Sequence, residues 1–334
     1  MSFLVENQIE LSLALLGAIL AGYQLGVPLT DRFIELQGKL VAKDGQAYYR
    51  NTLDDAYFVT FWVIAFTLIR AATMKYLLGP LADQFQSLKE LSKRVRFCEQ
   101  LWLVIYYAIS FTVGMWIMST MPHWMNTREL WVGYPHVELT YRFKAYYLMS
   151  MGFWLQQLYV LQIEEKRKDF YQMLSHHLIT CTLVVASYAT HYTRVGNAVL
   201  CTMDFADIFL SGAKVLRYMR FMTLCNVMFG FFVLSWVVTR HIIYGILMYS
   251  IHSESLLIND SPIMYPDESY FSPEVINSFL VLLGLLQLIL IYWFVLILRI
   301  IIRVVKGEEA EDDRSADEGD DDDTAAKSSD KKHD

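Results

Sequence analysis

The 334-residue chain is 55% apolar and only 19% charged, with a mean hydropathy of +0.31, a balance that excludes an ordinary soluble domain of this length. Its formal charge of −7 arises largely from an acidic stretch at 308–323; the body without it is slightly basic, and no nucleic-acid partner is expected. Cys98, Cys181, Cys201 and Cys225 lie in or beside apolar stretches without metal-ligand spacing, and read as buried free thiols.

Crossing a bilayer as a helix takes about 20 predominantly apolar residues. In chain order, runs of that kind stand at 9–29, 56–78, 101–121, 143–163, 171–190, 198–213, 221–250 and 278–303. The sixth is short and carries charge; the seventh is long enough to tilt or to project beyond the membrane. The first has no basic residue ahead of it and no clear cleavage site, so it reads as a span and not as a signal peptide. The chain is therefore expected to be all-α, a polytopic membrane helix bundle of about eight transmembrane helices. Lys and Arg total 13 in the connections on one side and 7 on the other, so the positive-inside rule puts both termini in the cytosol. The stretch 251–277 has no Lys or Arg but has Pro262, Pro266 and Pro273, and reads as a lumenal loop. Beyond Lys306 the chain has no aromatic residue and reads as a disordered acidic cytosolic tail.

Ionisable residues inside spans are costly, and mark either function or a buried pair. In the fifth run Asp169, Gln172, His176, Thr180 and Ser187 recur at helical spacing, which predicts one polar face, with His177 turned about 100° away. In the sixth, Asn197, Cys201, Asp204, Asp207, Ser211 and Lys214 also advance by threes and fours. A short connection containing Arg194 joins the two, and the pair of stripes predicts a lined cavity between consecutive helices. A single membrane His or Asp is often only a packed helix contact. Adjacent histidines beside two carboxylates one turn apart suit proton transfer or nucleophilic catalysis at neutral pH.

The stretch 166–219, KRKDFYQMLSHHLITCTLVVASYATHYTRVGNAVLCTMDFADIFLSGAKVLRYM, resembles the Lag1 motif of ceramide synthases. It contains the double His, an Arg-Val-Gly, and two Asp separated by two residues. The 53–82 stretch also resembles the segment that precedes the TLC (TRAM-LAG1-CLN8) domain in that family. The resemblance divides the chain into an N-terminal two-span segment (1–86), a TLC domain (87–306) holding the motif, and the tail (307–334). Met203, where animal members commonly have His, and the absence of a homeobox-like insert point to the fungal members; an Asn is usual where His191 stands.

The resemblance implies N-acylation of a sphingoid base (sphinganine or phytosphingosine) by fatty acyl-CoA, in the endoplasmic reticulum membrane, with no cofactor or metal. It implies catalytic roles for His176 and His177 supported by Asp204 and Asp207, with an acyl-imidazole on the first His. Asp169, Gln172, Thr180, Arg194, Asn197 and Lys214 are the candidate substrate-binding residues. A homo- or heterodimer, or a small single-span accessory subunit, is also implied. Two readings fit the basic ends near 166–168, Lys214, Arg217 and Arg220: they hold the coenzyme A phosphates, or they only satisfy the positive-inside rule. Lys331 and Lys332 resemble a dilysine retrieval signal, and Ser315 a kinase site. The rival is a TLC-domain protein without catalysis, a lipid-binding or translocon-associated factor, which has no need of the double His with Asp204 and Asp207. A His-box di-iron enzyme needs about eight clustered histidines, whereas the eight here are scattered; the elongase HxxHH pattern fails at Met173.

Overall fold

A computed structural model describes residues 6–41, 45–164, 168–255 and 272–306. The expectations for the basic pair Lys166 and Arg167, for most of the 251–277 loop and for the tail fall outside the described residues. Eight long helices are described, one for each apolar run. They are α1 Gln8–Gln24, α2 Asp55–Ala82, α3 Leu91–Ser119, α4 Tyr141–Ile163, α5 Phe170–Ala189, α6 Thr193–Tyr218, α7 Met222–Glu254 and α8 Pro273–Val305. Helix is the form in which an isolated apolar segment satisfies its own backbone hydrogen bonds in lipid. α2, α3, α7 and α8 are long and apolar enough to cross a membrane by length and composition, which makes this a multi-pass membrane protein. α4, α5 and α6 are more polar because, as shown below, much of their surface faces other helices or an internal cavity. A two-stranded antiparallel hairpin, β1 Lys39–Val41 with β2 Ala47–Tyr49, lies between α1 and α2, and Tyr49 bridges onward to Leu139.

The sixth helix is longer than its apolar run suggested, spanning 26 residues against the 16 expected at 198–213. Its polar ends stay helical because they pack: Thr193 and Asn197 are fully buried, and Val215 lies in the cluster beneath α3. α7 is interrupted twice by π-helical turns, Val238–Ile243 and Ser250–Glu254. Such turns are uncommon and often mark functional positions.

Helices α3, α4, α5, α8, α7 and α6 pack side to side in that order, and α6 returns to α3 to close a six-helix ring. Neighbours in the ring run antiparallel, so the short connections alternate between its two ends. α2 packs outside the ring on α4, and α1 packs on α2. Gly196 permits the close approach of α4 to α6: a Cβ there would collide with the Tyr147 hydroxyl, which hydrogen-bonds Ser187 of α5.

One buried knot fastens α2 to the ring. Lys144 of α4 is wholly buried, with Nζ 2.7 Å from Asp55 at the start of α2. The same ammonium donates to the carbonyls of Gln37 (2.9 Å) and Arg50 (2.7 Å). Asp55 also accepts from the Thr52 amide and from the Tyr188 hydroxyl of α5, each at 2.7 Å.

Candidate active site

Two chambers meet inside the ring, and His176 lies where they join. The polar chamber, about 150 Å³, is lined by residues that include Gln100, Gln157, Glu164, Asp169, His177, Ser211 and Lys214. It stands at the end of the ring where α3 and α5 begin and α4 and α6 end. The apolar chamber, about 60 Å³, runs the other way between α5, α6 and α8, past Leu183, Val199 and Leu283 towards Trp131. Trp154, His176, Asp207 and Arg240 line both. His176 keeps partial exposure deep among the helices because it faces this junction.

Helical phase explains which polar residues face the cavity. On α5, Asp169, His176, Thr180 and Ser187 stay within about 20° of one line, whereas Gln172 falls about 60° off it. The first four line the chambers and Gln172 lines neither. The α6 stripe splits for the same reason, since each three-residue step lags a full turn by about 60° and the two consecutive steps to Asp207 accumulate. Asp207, Ser211 and Lys214 accordingly line the polar chamber, while Asn197, Cys201 and Asp204 line neither. Asn197 meets His123 at 3.5 Å and Cys201 at 3.6 Å, and Cys201 meets the Tyr146 hydroxyl at 3.8 Å. Asp204, only 2% exposed, faces Tyr106, Tyr107 and Tyr146 on α3 and α4. Arg194 also stands apart: it donates to the carbonyls of Glu129 (2.6 Å) and Val132 (3.4 Å) and holds the loop that precedes α4.

The histidine pair differs in its bonding. His177 Nδ1 lies 2.8 Å from the Met173 carbonyl, an acceptor only, so Nδ1 carries the proton and Nε2 keeps its lone pair. His176 is packed by aromatic rings, 5.3 Å from Trp293 and 5.9 Å from Trp154 between centroids. Among the described residues its Nδ1 has no hydrogen-bond partner. Trp293 is itself positioned by a 3.2 Å hydrogen bond from its indole to Asp169.

Arg240 escaped the sequence reading. It sits on the first π-helical turn of α7, 2% exposed, with Nη2 2.6 Å from Asp207 Oδ1 and 3.0 Å from the Met203 carbonyl. Its guanidinium lies 4.3 Å over the Trp236 ring, an arrangement a planar cation suits. The available signal was an arginine ten residues inside the span expected at 221–250, as costly there as the aspartates of α6. Among the described residues no group of His, Cys, Asp and Glu forms a candidate metal site.

The arrangement therefore offers a nucleophile or base, a second imidazole, and an arginine–carboxylate pair where the two chambers share their lining. One side is lined by polar and charged groups and the other almost wholly by apolar side chains. A family model, the TLC domain (TRAM, LAG1 and CLN8), matches residues 96–299, the portion that runs from α3 into α8 and forms the ring. The chain is 37% identical over 284 residues to sphingosine N-acyltransferase lag1 of Schizosaccharomyces pombe, covering 85% of this chain and 72% of that protein. It is 32% identical over 265 residues to ceramide synthase LAG1 of Saccharomyces cerevisiae, covering 78% and 64%. To ceramide synthase hyl-1 of Caenorhabditis elegans it is 31% identical over 225 residues, covering 66% and 60%. The chain belongs to the Lag1 ceramide synthase family of TLC-domain proteins.

Proposed function

We propose that this chain makes ceramide by moving a fatty acyl group from coenzyme A to the amine of a sphingoid base, and that His176 carries the acyl group between the two. The chain is an acyltransferase by its family; the route through His176 is our reading. The observation that carries it is the position of His176 at the junction of a polar and an apolar chamber. The carbonyl carbon of a thioester joins the acyl chain on one side to the coenzyme A sulfur on the other. With that carbon at His176 and coenzyme A in the polar chamber beside Lys214, the hydrocarbon chain has the apolar chamber to occupy.

In the first step a neutral imidazole nitrogen of His176 attacks the thioester carbon. The C–S bond breaks as the N–C bond forms, and the thiolate leaves through the polar chamber with the proton that the imidazolium gives up. In the second step the sphingoid amine, as the free base, attacks the acyl-imidazole carbon. The amide forms, the N–C bond to His176 breaks, and the ammonium proton passes by way of His177, whose Nε2 lone pair is kept free by the Met173 bond, to the departing His176 nitrogen, which leaves both imidazoles neutral. Arg240 and Asp207 line the same junction: the guanidinium suits the oxyanion that develops at the carbonyl, and the carboxylate orients it. Asp204, facing tyrosines on α3 and α4, acts through the packing of α6. A water-poor chamber protects the acyl-imidazole from hydrolysis. Asp169 holds Trp293 against His176, and Thr180 contacts the first part of the chain. Gln172, Arg194 and Asn197 line neither chamber, and none of them is assigned a contact with substrate.

The eight-span topology with both termini cytosolic, and residence in the endoplasmic reticulum, belong to the same proposal. The polar chamber lies at the end with the Lys- and Arg-rich connections, where cytosolic acyl-CoA arrives. Association with a second copy or a small single-span subunit is a further part of it, tested by the mass of the detergent-purified particle. The functional reading is tested by incubating purified protein with a sphingoid base and acyl-CoA. Ceramide and free coenzyme A should form in equal amounts, and His176→Ala should abolish both while the protein remains folded. Full turnover in His176→Ala would refute a role for this imidazole.

A further inference from the structure

The far end of the apolar chamber is closed by a side chain from outside the six-helix ring. Trp131, in the loop between α3 and α4, has no exposed surface and lines the chamber with Tyr192, Ile251 and Phe279. Its ring stands edge-on to Tyr192 at 5.5 Å. Its indole N–H, which gains from an acceptor when buried, donates to Ser250 Oγ at 2.8 Å. Ser250 in turn donates to Glu254 Oε2 at 2.6 Å, and Thr127 donates to Glu254 Oε1 at 3.1 Å. Ser250 and Glu254 belong to the second π-helical turn of α7. The loop is pinned on both sides of Trp131 by Arg194, through the carbonyls of Glu129 and Val132. Trp131 therefore cannot swing aside without breaking a buried hydrogen bond and withdrawing a loop tied at several points.

The span from the reacting histidine to this closure follows from α8. Trp293 touches His176 and Phe279 stands at the closed end, fourteen residues apart and so about 21 Å along the helix. That is roughly two thirds of the hydrocarbon thickness of a bilayer, and comparable to one extended long-chain fatty acyl group. We propose that Trp131, held by Ser250, is the stop that sets the longest acyl chain this enzyme accepts. The proposal rests on the reading of the apolar chamber as the acyl site, and adds the residue that measures the chain. A methylene that does not fit costs about 10-fold or more in kcat/KM, so a fixed stop produces a sharp upper limit.

The test offers the purified protein an equimolar ladder of saturated acyl-CoAs with one sphingoid base, and in a second arm a ladder of sphingoid bases with one acyl-CoA, with the ceramides resolved by mass spectrometry. Trp131→Leu opens the end and should raise relative kcat/KM at least 10-fold for chains two carbons beyond the wild-type maximum. Ser250→Ala removes the anchor but keeps the packing, and should broaden the products towards longer chains even if Trp131→Leu does not fold. Val199→Trp fills the chamber eight residues short of Asp207, about 12 Å along α6, and should shift the products to shorter chains. If Val199→Trp shortens the products while Trp131→Leu and Ser250→Ala leave the upper limit unchanged, the chamber holds the acyl chain but Trp131 is not the stop, and the proposal falls. If the variants change the preferred length of sphingoid base and not of acyl chain, the chamber holds the base and the proposal falls with its assignment. A wild-type protein that forms no ceramide from any acyl-CoA would overturn the acyltransferase reading itself.

Discussion

Replacing Lys144 by Met should destabilise the protein sharply without touching either chamber. The side chain of Lys144 has no exposed surface and that of Asp55 only 3%, so the methionine would leave a buried carboxylate without its counter-charge. It would also strip the Gln37 and Arg50 carbonyls of their shared donor. Breaking a buried pair from one side costs about 3–5 kcal/mol. With about 2.1 cal/mol/K of unfolding entropy per residue, a chain of 334 residues shifts by about 1.4 °C per kcal/mol, so the melting temperature should fall by about 4–7 °C. The assay is intrinsic tryptophan fluorescence of the detergent-purified protein on heating, with ceramide synthesis at low temperature as the control for an intact site. Adding Asp55→Asn to Lys144→Met should restore much of the loss, because both charges are then gone. A Lys144→Met protein that melts within about 2 °C of wild type would refute the reasoning, as would a double variant no better than the single one.

Three further outcomes are expected. Arg240→Lys keeps the charge but loses the fork that reaches Asp207 and Met203, and should lower kcat at least tenfold with little change in melting temperature; unchanged kcat would remove Arg240 from the chemistry. His136, in the loop before α4, is held down to about 3 by burial first and by the nearby Arg194 charge second. The unfolded chain therefore takes up this proton first, near pH 6.5, so its contribution is complete above that value and declines as pH falls below it. Between pH 7 and 5 the loss is about 2 kcal/mol, and melting temperature should depend less on pH over that range in His136→Gln; an identical dependence would contradict this. A glycosylation acceptor engineered into the α3–α4 loop should be modified in microsomes and one in the 83–90 connection should not, and the reverse pattern would invert the topology.

Much of the fold was legible because lipid demands long apolar helices, and each of the eight runs corresponds to one. The double histidine and the α6 aspartates could be found from cost alone, since polar groups in such segments need a reason. What helical spacing blurred was direction. Asp204 and Asp207 read as equal members of one stripe, yet 300° of turn between them carries Asp207 to the cavity and leaves Asp204 towards α3. Arg240 went unread because attention rested on the motif helices, although its burial in an apolar span obeys the same rule. Trp131 had no local signal at all: a tryptophan in a loop becomes a chamber wall only through the tertiary bond to Ser250.

The central claim is that His176 holds the acyl group covalently. Intact-mass analysis of the purified protein, incubated with acyl-CoA and no sphingoid base and then rapidly quenched, should show a gain of one acyl group. The added mass should disappear on adding the amine, with ceramide released in equal amount, and should be absent in His176→Ala. A fully active enzyme that never acquires the acyl mass, even on rapid quenching, would contradict the account and assign direct attack by the amine, with the histidines acting as bases alone.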